Sequence, residues 1–168
     1  HRDKVLRWTA FADALTGETR PAPLVSLPPD GLGDAAGGAE PVLVLMPFSA
    51  VKAKQGPVGR YERILDSLPK GWRVIIAGAP EDLARNPEFQ ALLVRPGVTF
   101  DDGSFEALVP TLRMASLVVT VDTAGMHLAV ALGAPTLCLA SAAYVGEIVP
   151  YAPEITPANV RFVHVPMD

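Results

Sequence analysis

Short apolar runs separated by longer stretches of mixed polarity set the rhythm of this chain from residue 41 onward. The runs at 42–46, 72–77, 117–121 and 136–140 are rich in Val, Leu and Ile and lack strict polar alternation, which is the pattern of strands buried on both faces. Val98 and Phe100 mark a shorter strand, and 160–165 reads as a final one. Between them, the stretches 58–68, 81–93, 104–115 and 125–132 read as helices. Strand and helix in strict alternation predict an α/β fold with a Rossmann-like, doubly wound parallel sheet covered on both sides. Ahead of this pattern, Val5, Trp8, Phe11 or Ala12, and Leu15 recur at helical spacing before Gly17, so the chain is expected to open on an amphipathic helix that needs a partner surface. Residues 17–41, rich in Gly, Pro and Ala and containing Pro28-Pro29-Asp30-Gly31, read as an irregular connector. The expected division is a connector helix and linker over 1–40 and one Rossmann-like domain over 41–168.

Composition narrows the function classes. The chain has 168 residues, 49% of them hydrophobic and 19% charged, enough for one globular domain with a real core. A formal charge of −4, with no run that concentrates Lys and Arg, argues against a nucleic-acid partner. The single cysteine, Cys138, lies in an apolar stretch and reads as a buried structural thiol, which excludes internal disulfides and a cysteine-built zinc site. Residues 128–145 carry no charge, but Gly133 and Pro135 divide them into a helix and a strand rather than a membrane span. The charged opening His1-Arg2-Asp3-Lys4 lacks the apolar core of a secretory signal, so a cytoplasmic address is expected, and the abrupt helical start suggests residues cut from a longer protein.

Candidate chemistry concentrates in one turn. Residues 118–136 read as a buried strand, a polar turn and a short helix closed by Gly133. In a parallel α/β sheet, ligands settle beyond the carboxyl ends of the strands, where the first N–H groups of the next helix make a seat for phosphate. Thr123 or Asp122 is placed to cap that helix, with the N–H groups near Ala124 and Gly125 available; Gly125 permits close approach of a ligand. Asp122 is a poor neighbour for a diphosphate and reads as a cap or as an acceptor for a sugar hydroxyl. His127, in the first helical turn, is either a structural histidine or a donor to phosphate oxygens. The loop after the first strand carries Ser49, Lys52 and Lys54, and a parallel sheet brings Lys54 to the same edge; as isolated residues, both lysines read more simply as solvated charges. Glu81, after the second strand, suits either a ribose diol or the start of a helix. Asp101-Asp102-Gly103-Ser104 is ordinary capping chemistry, so no metal is expected, and the glycine fingerprints of nucleotide hydrolases and nicotinamide enzymes are absent.

Asp122-Thr123-Ala124-Gly125-Met126-His127-Leu128-Ala129, with Ala131-Leu132-Gly133 and Pro135, resembles the carboxyl-terminal half of glycosyltransferase family nine, the bacterial heptosyltransferase type with a GT-B fold. That family's signature there is Asp-Thr or Asp-Ser, a short spacer, His-Leu-Ala, Ala-Leu-Gly and Pro. Its earlier Lys-Arg-Trp-Pro-x-x-Arg-Phe pattern is similar to the segment from Lys54 through Pro57 and Arg60 to Tyr61, with the Arg-Trp pair lost. Ala124 stands where the family commonly has Gly.

The resemblance implies a donor-binding Rossmann-like domain, with an acceptor domain elsewhere and the opening helix as connector. It assigns Ser49 and Lys54 to the donor's phosphates, Glu81 to the ribose, and Gly103, Ser104 and Phe105 to the nucleobase. Thr123, Ala124, Gly125 and His127 would hold the diphosphate, Asp122 would face the sugar, and Lys54 and His127 would stabilise the leaving group. The implied reaction is inverting, metal-independent and cofactor-free transfer of a heptose-like sugar from an ADP-heptose-like donor to a glycan or lipopolysaccharide-type acceptor. The general base would lie on the acceptor domain, so the isolated chain is expected to bind nucleotide without turnover. Peripheral membrane association of the full protein goes with such an acceptor. The competing readings are a non-catalytic nucleotide-sugar-binding scaffold and a sugar-nucleotide epimerase, the latter lacking a sufficient acid and base set here.

Overall fold

The computed structural model describes residues 3–27, 40–141 and 148–165. Helix α1 (Lys4–Thr16) is followed by strand β1 (Val42–Met46), helix α2 (Val58–Ser67), β2 (Arg73–Ala77), the short helices α3 (Asp82–Arg85) and α4 (Gln90–Leu93), and β3 (Val98–Asp101). Then come α5 (Leu108–Arg113), β4 (Leu117–Val121), α6 (Ala124–Ala131), β5 (Thr136–Ser141) and β6 (Val160–Val165). All six strands pair in parallel, in the order β3-β2-β1-β4-β5-β6. This is the doubly wound arrangement expected from the sequence. The chain lays strands outward from β1 to β3 and then crosses back to β4, so the loops leaving β1 and β4 diverge and open a crevice at that switch.

Alternation along the central strand explains how both faces are covered. Val42, Val44 and Met46 join Leu112, Val118 and Ala129 beneath α5 and α6, whereas Leu43 and Leu45 join Tyr61, Phe89 and Leu92 on the opposite face. Leu43, Val44 and Leu45 are fully buried, each contributing roughly 1.5–3 kcal/mol by leaving water. A third cluster gathers Leu6 of α1 with Met126, Val130, Cys138, Tyr151 and Val160 around the β5–β6 side.

Three departures from the sequence reading have local causes. The helix expected over 81–93 is divided into α3, a 3-10 turn at Pro87–Phe89, and α4, because Pro87 lacks an N–H and excludes Asn86 from helical geometry (φ −134°, ψ 64°). The helix expected over 104–115 begins at Leu108; ahead of it the Ser104 hydroxyl and carbonyl accept from the N–H groups of Ala107 and Leu108 in a turn. On α1, Gly17 ends the helix in the left-handed region as expected (φ 70°), but the buried side chain is Leu6, while Trp8, Phe11 and Leu15 are exposed. Asp3 sets that orientation: one carboxylate oxygen caps α1 through Val5 N–H at 2.7 Å and the other accepts from Ala152 N–H at 3.1 Å. Part of the expected connector, 28–39, lies outside the described residues. No helix among the described residues is long and apolar enough to cross a membrane.

Candidate functional site

The crevice at the switch holds a cavity of about 290 Å³ over the carboxyl ends of β1, β2 and β3. Met46, Phe48 and Leu108 give it apolar walls, Gly78 and Ala79 one rim, and Thr123, Ala124 and Gly125 of the β4–α6 turn the other. Asp82, Asp101, Gly103, Ser104 and Phe105 also line it. Asp101 is occupied in shaping its own loop, accepting from Gly103 N–H at 3.0 Å and from the Thr111 hydroxyl at 2.9 Å. Among the described residues no group of His, Cys, Asp and Glu is placed to hold a metal ion.

Close packing beneath the cavity depends on glycine. A Cβ on Gly78 would stand 2.6 Å from the Phe48 ring and 3.0 Å from the Asp82 carboxylate, and Phe48 is itself wedged edge-on against Phe89 and Phe100. Gly78→Ala is therefore expected to cost about 1–3 kcal/mol of stability, read as a lower urea midpoint at unchanged slope. Gly125 answers a similar constraint: its missing Cβ would lie 2.7 Å from the Met46 sulfur. The sequence reading saw Gly125 only as room for a ligand; here it also lets the helix end settle on β1.

The end of α6 that faces the crevice is uncapped. Thr123 occupies the N-cap position with extended backbone (φ −148°, ψ 166°) and makes no side-chain cap hydrogen bond. Asp122 does not serve as the cap suggested by sequence either, because its carboxylate is engaged 2.6 Å from the Lys54 ammonium. The first N–H groups of α6 thus have no side-chain partner from either residue, and the helix dipole adds positive potential there.

Lys54, Asp122 and His127 form a second group on the β5 side of the same turn. Lys54 and Asp122 side chains are 18% and 14% exposed, so their pair is shielded from bulk water. Their charges reach His127, whose imidazole is held below its usual value by burial and by Lys54, with Asp122 opposing. His127 is consequently neutral near pH 7, with its Nδ1 2.5 Å from the Tyr151 hydroxyl. The Cys138 thiol beneath is pushed up to about 12 by burial and the Asp122 charge.

Of the residues singled out by sequence, Gly103, Ser104, Thr123, Ala124 and Gly125 line the cavity, and Lys54, Asp122 and His127 stand together beside it. Two sit apart. Ser49 uses its hydroxyl to accept from Val51 N–H at 3.3 Å and its carbonyl to hold the Gln55 amide at 2.7 Å, bracing the loop that carries Lys54. Glu81 is exposed and faces Arg85 at 3.7 Å, while its neighbour Asp82 lines the cavity and binds Ala79 N–H at 2.7 Å. Sequence reasoning passed over Met46, Phe48, Asp82, Leu108 and Tyr151. The apolar ones carry no chemical signature, and nothing in the spacing from His127 to Tyr151 marks them as neighbours.

The model for glycosyltransferase family 9 (heptosyltransferase) matches residues 6–165. Among solved structures, E. coli heptosyltransferase WaaC with ADP-2-deoxy-2-fluoro heptose is similar at TM-score 0.62 and 22% identity, over 92% of this chain and 47% of that one. E. coli ADP-heptose lps heptosyltransferase II aligns at 0.55 and 20%, over 77% and 40%, and a family 9 glycosyl transferase from Veillonella parvula DSM 2008 at 0.56 and 21%, over 74% and 35%. The chain spans less than half the length of each of these structures. No curated protein matches it. With the family pattern running through nearly the whole sequence and the six-stranded sheet matching one half of a heptosyltransferase, the chain belongs to glycosyltransferase family 9, the heptosyltransferase family.

Proposed function

We propose that these residues form the donor-binding domain of an inverting, metal-independent glycosyltransferase that takes a heptose-like sugar from an ADP-heptose-like donor. The observation that carries the reading is the juxtaposition of an apolar cavity, an uncapped helix terminus and a shielded Lys54–Asp122–His127 group along one crevice. The three parts suit, in order, a nucleoside, its diphosphate, and the outer phosphate with the sugar attached to it. The nucleobase rests between Phe48, Leu108 and Phe105, and the diphosphate accepts from the α6 N–H groups. Lys54 turns from Asp122 toward the phosphate oxygens, freeing the Asp122 carboxylate for sugar hydroxyls.

During transfer, the bond between the anomeric carbon and the diphosphate oxygen breaks as an acceptor hydroxyl forms the new bond from the opposite face. Negative charge then grows on the departing diphosphate. Helix N–H groups, the Lys54 ammonium once it has turned from Asp122, and a His127 N–H stabilise the growing charge. The acceptor, of glycan or lipopolysaccharide type, and the base that takes its proton belong to a companion domain. These residues alone therefore bind nucleotide without turnover, and the whole enzyme works in the cytoplasm at the inner membrane face.

Calorimetry with ADP, UDP, GDP and CDP tests the reading. Binding of ADP ahead of the others, without added metal, is the expected result. Failure of every nucleoside diphosphate to bind would favour a non-catalytic scaffold. A pH series adds a second check on His127, whose pKa in the folded chain lies below the ordinary imidazole value near 6.5. The unfolded chain takes up the proton first as pH falls, so the contribution of His127 to stability is complete above about 6.5 and is lost below it. Thermal melts of the unaltered chain should fall more steeply between about pH 6.5 and 5 than those of His127→Gln.

A further inference from the structure

Tyr151 comes from the segment before β6, far in sequence from α6, yet its hydroxyl meets Nδ1 of His127 at 2.5 Å and the two rings stack at 5.6 Å with 25° between planes. The tyrosine is 5% exposed and fixed from several sides. Phe162 of β6 packs edge-on at 5.4 Å, the Tyr151 carbonyl accepts from the Thr156 hydroxyl at 3.2 Å, and the next N–H, that of Ala152, is held by Asp3. A ring clamped in this way dictates where the imidazole lies.

The contact admits two polarities, and donation by the phenol is the one that leaves no buried O–H unsatisfied. Burial, reinforced by Cys138, Asp3 and Asp122, pushes the Tyr151 phenol up to about 12, so it keeps its proton at neutral pH. Among the described residues, His127 is the hydroxyl's hydrogen-bond partner. A neutral imidazole has one nitrogen that accepts and one that donates. If the phenol donates to Nδ1, the imidazole proton must sit on Nε2, the ring's remaining polar atom.

We infer that Tyr151 is a positioning residue for anion binding: by donating to Nδ1 it holds His127 in one orientation and one tautomer, presenting Nε2–H as a neutral donor to the diphosphate. This rests on the donor-site reading above. It explains how a histidine kept neutral by its surroundings still serves a phosphate, since its N–H is aimed without the cost of charging a buried ring. Lys54 and Asp122, the charged groups that act on the ring, oppose each other, and the hydrogen bond at Nδ1 comes from Tyr151.

Nitrogen-15 NMR of the His127 ring in the full chain, at about pH 8 and therefore above the imidazole titration, tests this without any ligand. The expected spectrum has Nε2 protonated and Nδ1 as acceptor in the unaltered protein, with Tyr151→Phe shifting both signals. A proton found on Nδ1 would overturn the inference. Calorimetry with ADP supplies the functional half. Tyr151→Phe should weaken binding about threefold to tenfold, and should add nothing further in a His127→Ala background. Equal weakening by Tyr151→Phe with and without His127 would mean a merely structural tyrosine, and no weakening at all would also overturn the inference. Absence of ADP binding by the unaltered chain would instead overturn the donor-site reading, while the NMR result would still decide whether Tyr151 fixes His127.

Discussion

Replacing Lys54 by alanine is expected to weaken nucleoside diphosphate binding by about a hundredfold, the loss of one or two charge-assisted hydrogen bonds to phosphate. The same change should also cost stability. Lys54 lies 2.6 Å from Asp122, whose side chain is only 14% exposed, and removing the ammonium leaves that carboxylate shielded from water without its cation. A loss of about 1–3 kcal/mol follows. The two effects separate in the double variant Lys54→Ala/Asp122→Ala, which removes the stranded charge together with its partner. Stability should largely return there, while binding should not. Calorimetry with ADP and urea denaturation of the unaltered chain and the two variants make the comparison. Wild-type affinity in Lys54→Ala would place the diphosphate somewhere other than beside this pair.

Why Lys54 and Asp122 were legible as candidates, while the ion pair between them was not, shows what a sequence carries. The alternation of buried runs and helical stretches places the loop after β1 and the turn after β4 at one edge, and the observed order β3-β2-β1-β4-β5-β6 puts those strands side by side. Placement of Lys54 and the Asp122 turn at one edge therefore follows from hydrophobic pattern, and their adjacency from the observed strand order. Their ion pair depends on side-chain reach across the crevice, which no periodicity encodes. A similar division runs through the rest of the site. Thr123 to Gly125 were found because polar residues at a strand end followed by a helix are a local signal. Phe48, Leu108 and Met46 look like any other core residue, and only the divergence of loops at the switch makes them a cavity wall. Trp8, Phe11 and Leu15 gave a helical stripe that the fold leaves exposed, because Asp3 anchors α1 with Leu6 inward. Tertiary capping there outweighs periodicity.

Phe89→Ala is the second large expected effect, and it joins the fold to the site. Pro87 interrupts the helix expected over 81–93, and the resulting 3-10 turn carries the Phe89 ring inward, 1% exposed, between Phe48 at 5.0 Å and Tyr61 at 5.4 Å. Truncation removes a ring from a close-packed cluster and leaves a void that Tyr61, itself fully buried, has little freedom to fill. The expected loss is about 3–5 kcal/mol, a fall in melting temperature on the order of 10 °C for a chain of this size. Phe48 loses its backing at the same time, so the cavity wall loosens and ADP affinity should drop in the folded variant. Phe89→Leu, which keeps most of the buried volume, should retain more of both properties. Urea denaturation at unchanged slope, followed by calorimetry below the melting transition, measures the two consequences. A loss under about 1 kcal/mol would show that the aromatic cluster is not packed as tightly as these ring distances require, and with it the rigidity ascribed to the Phe48 wall would fall.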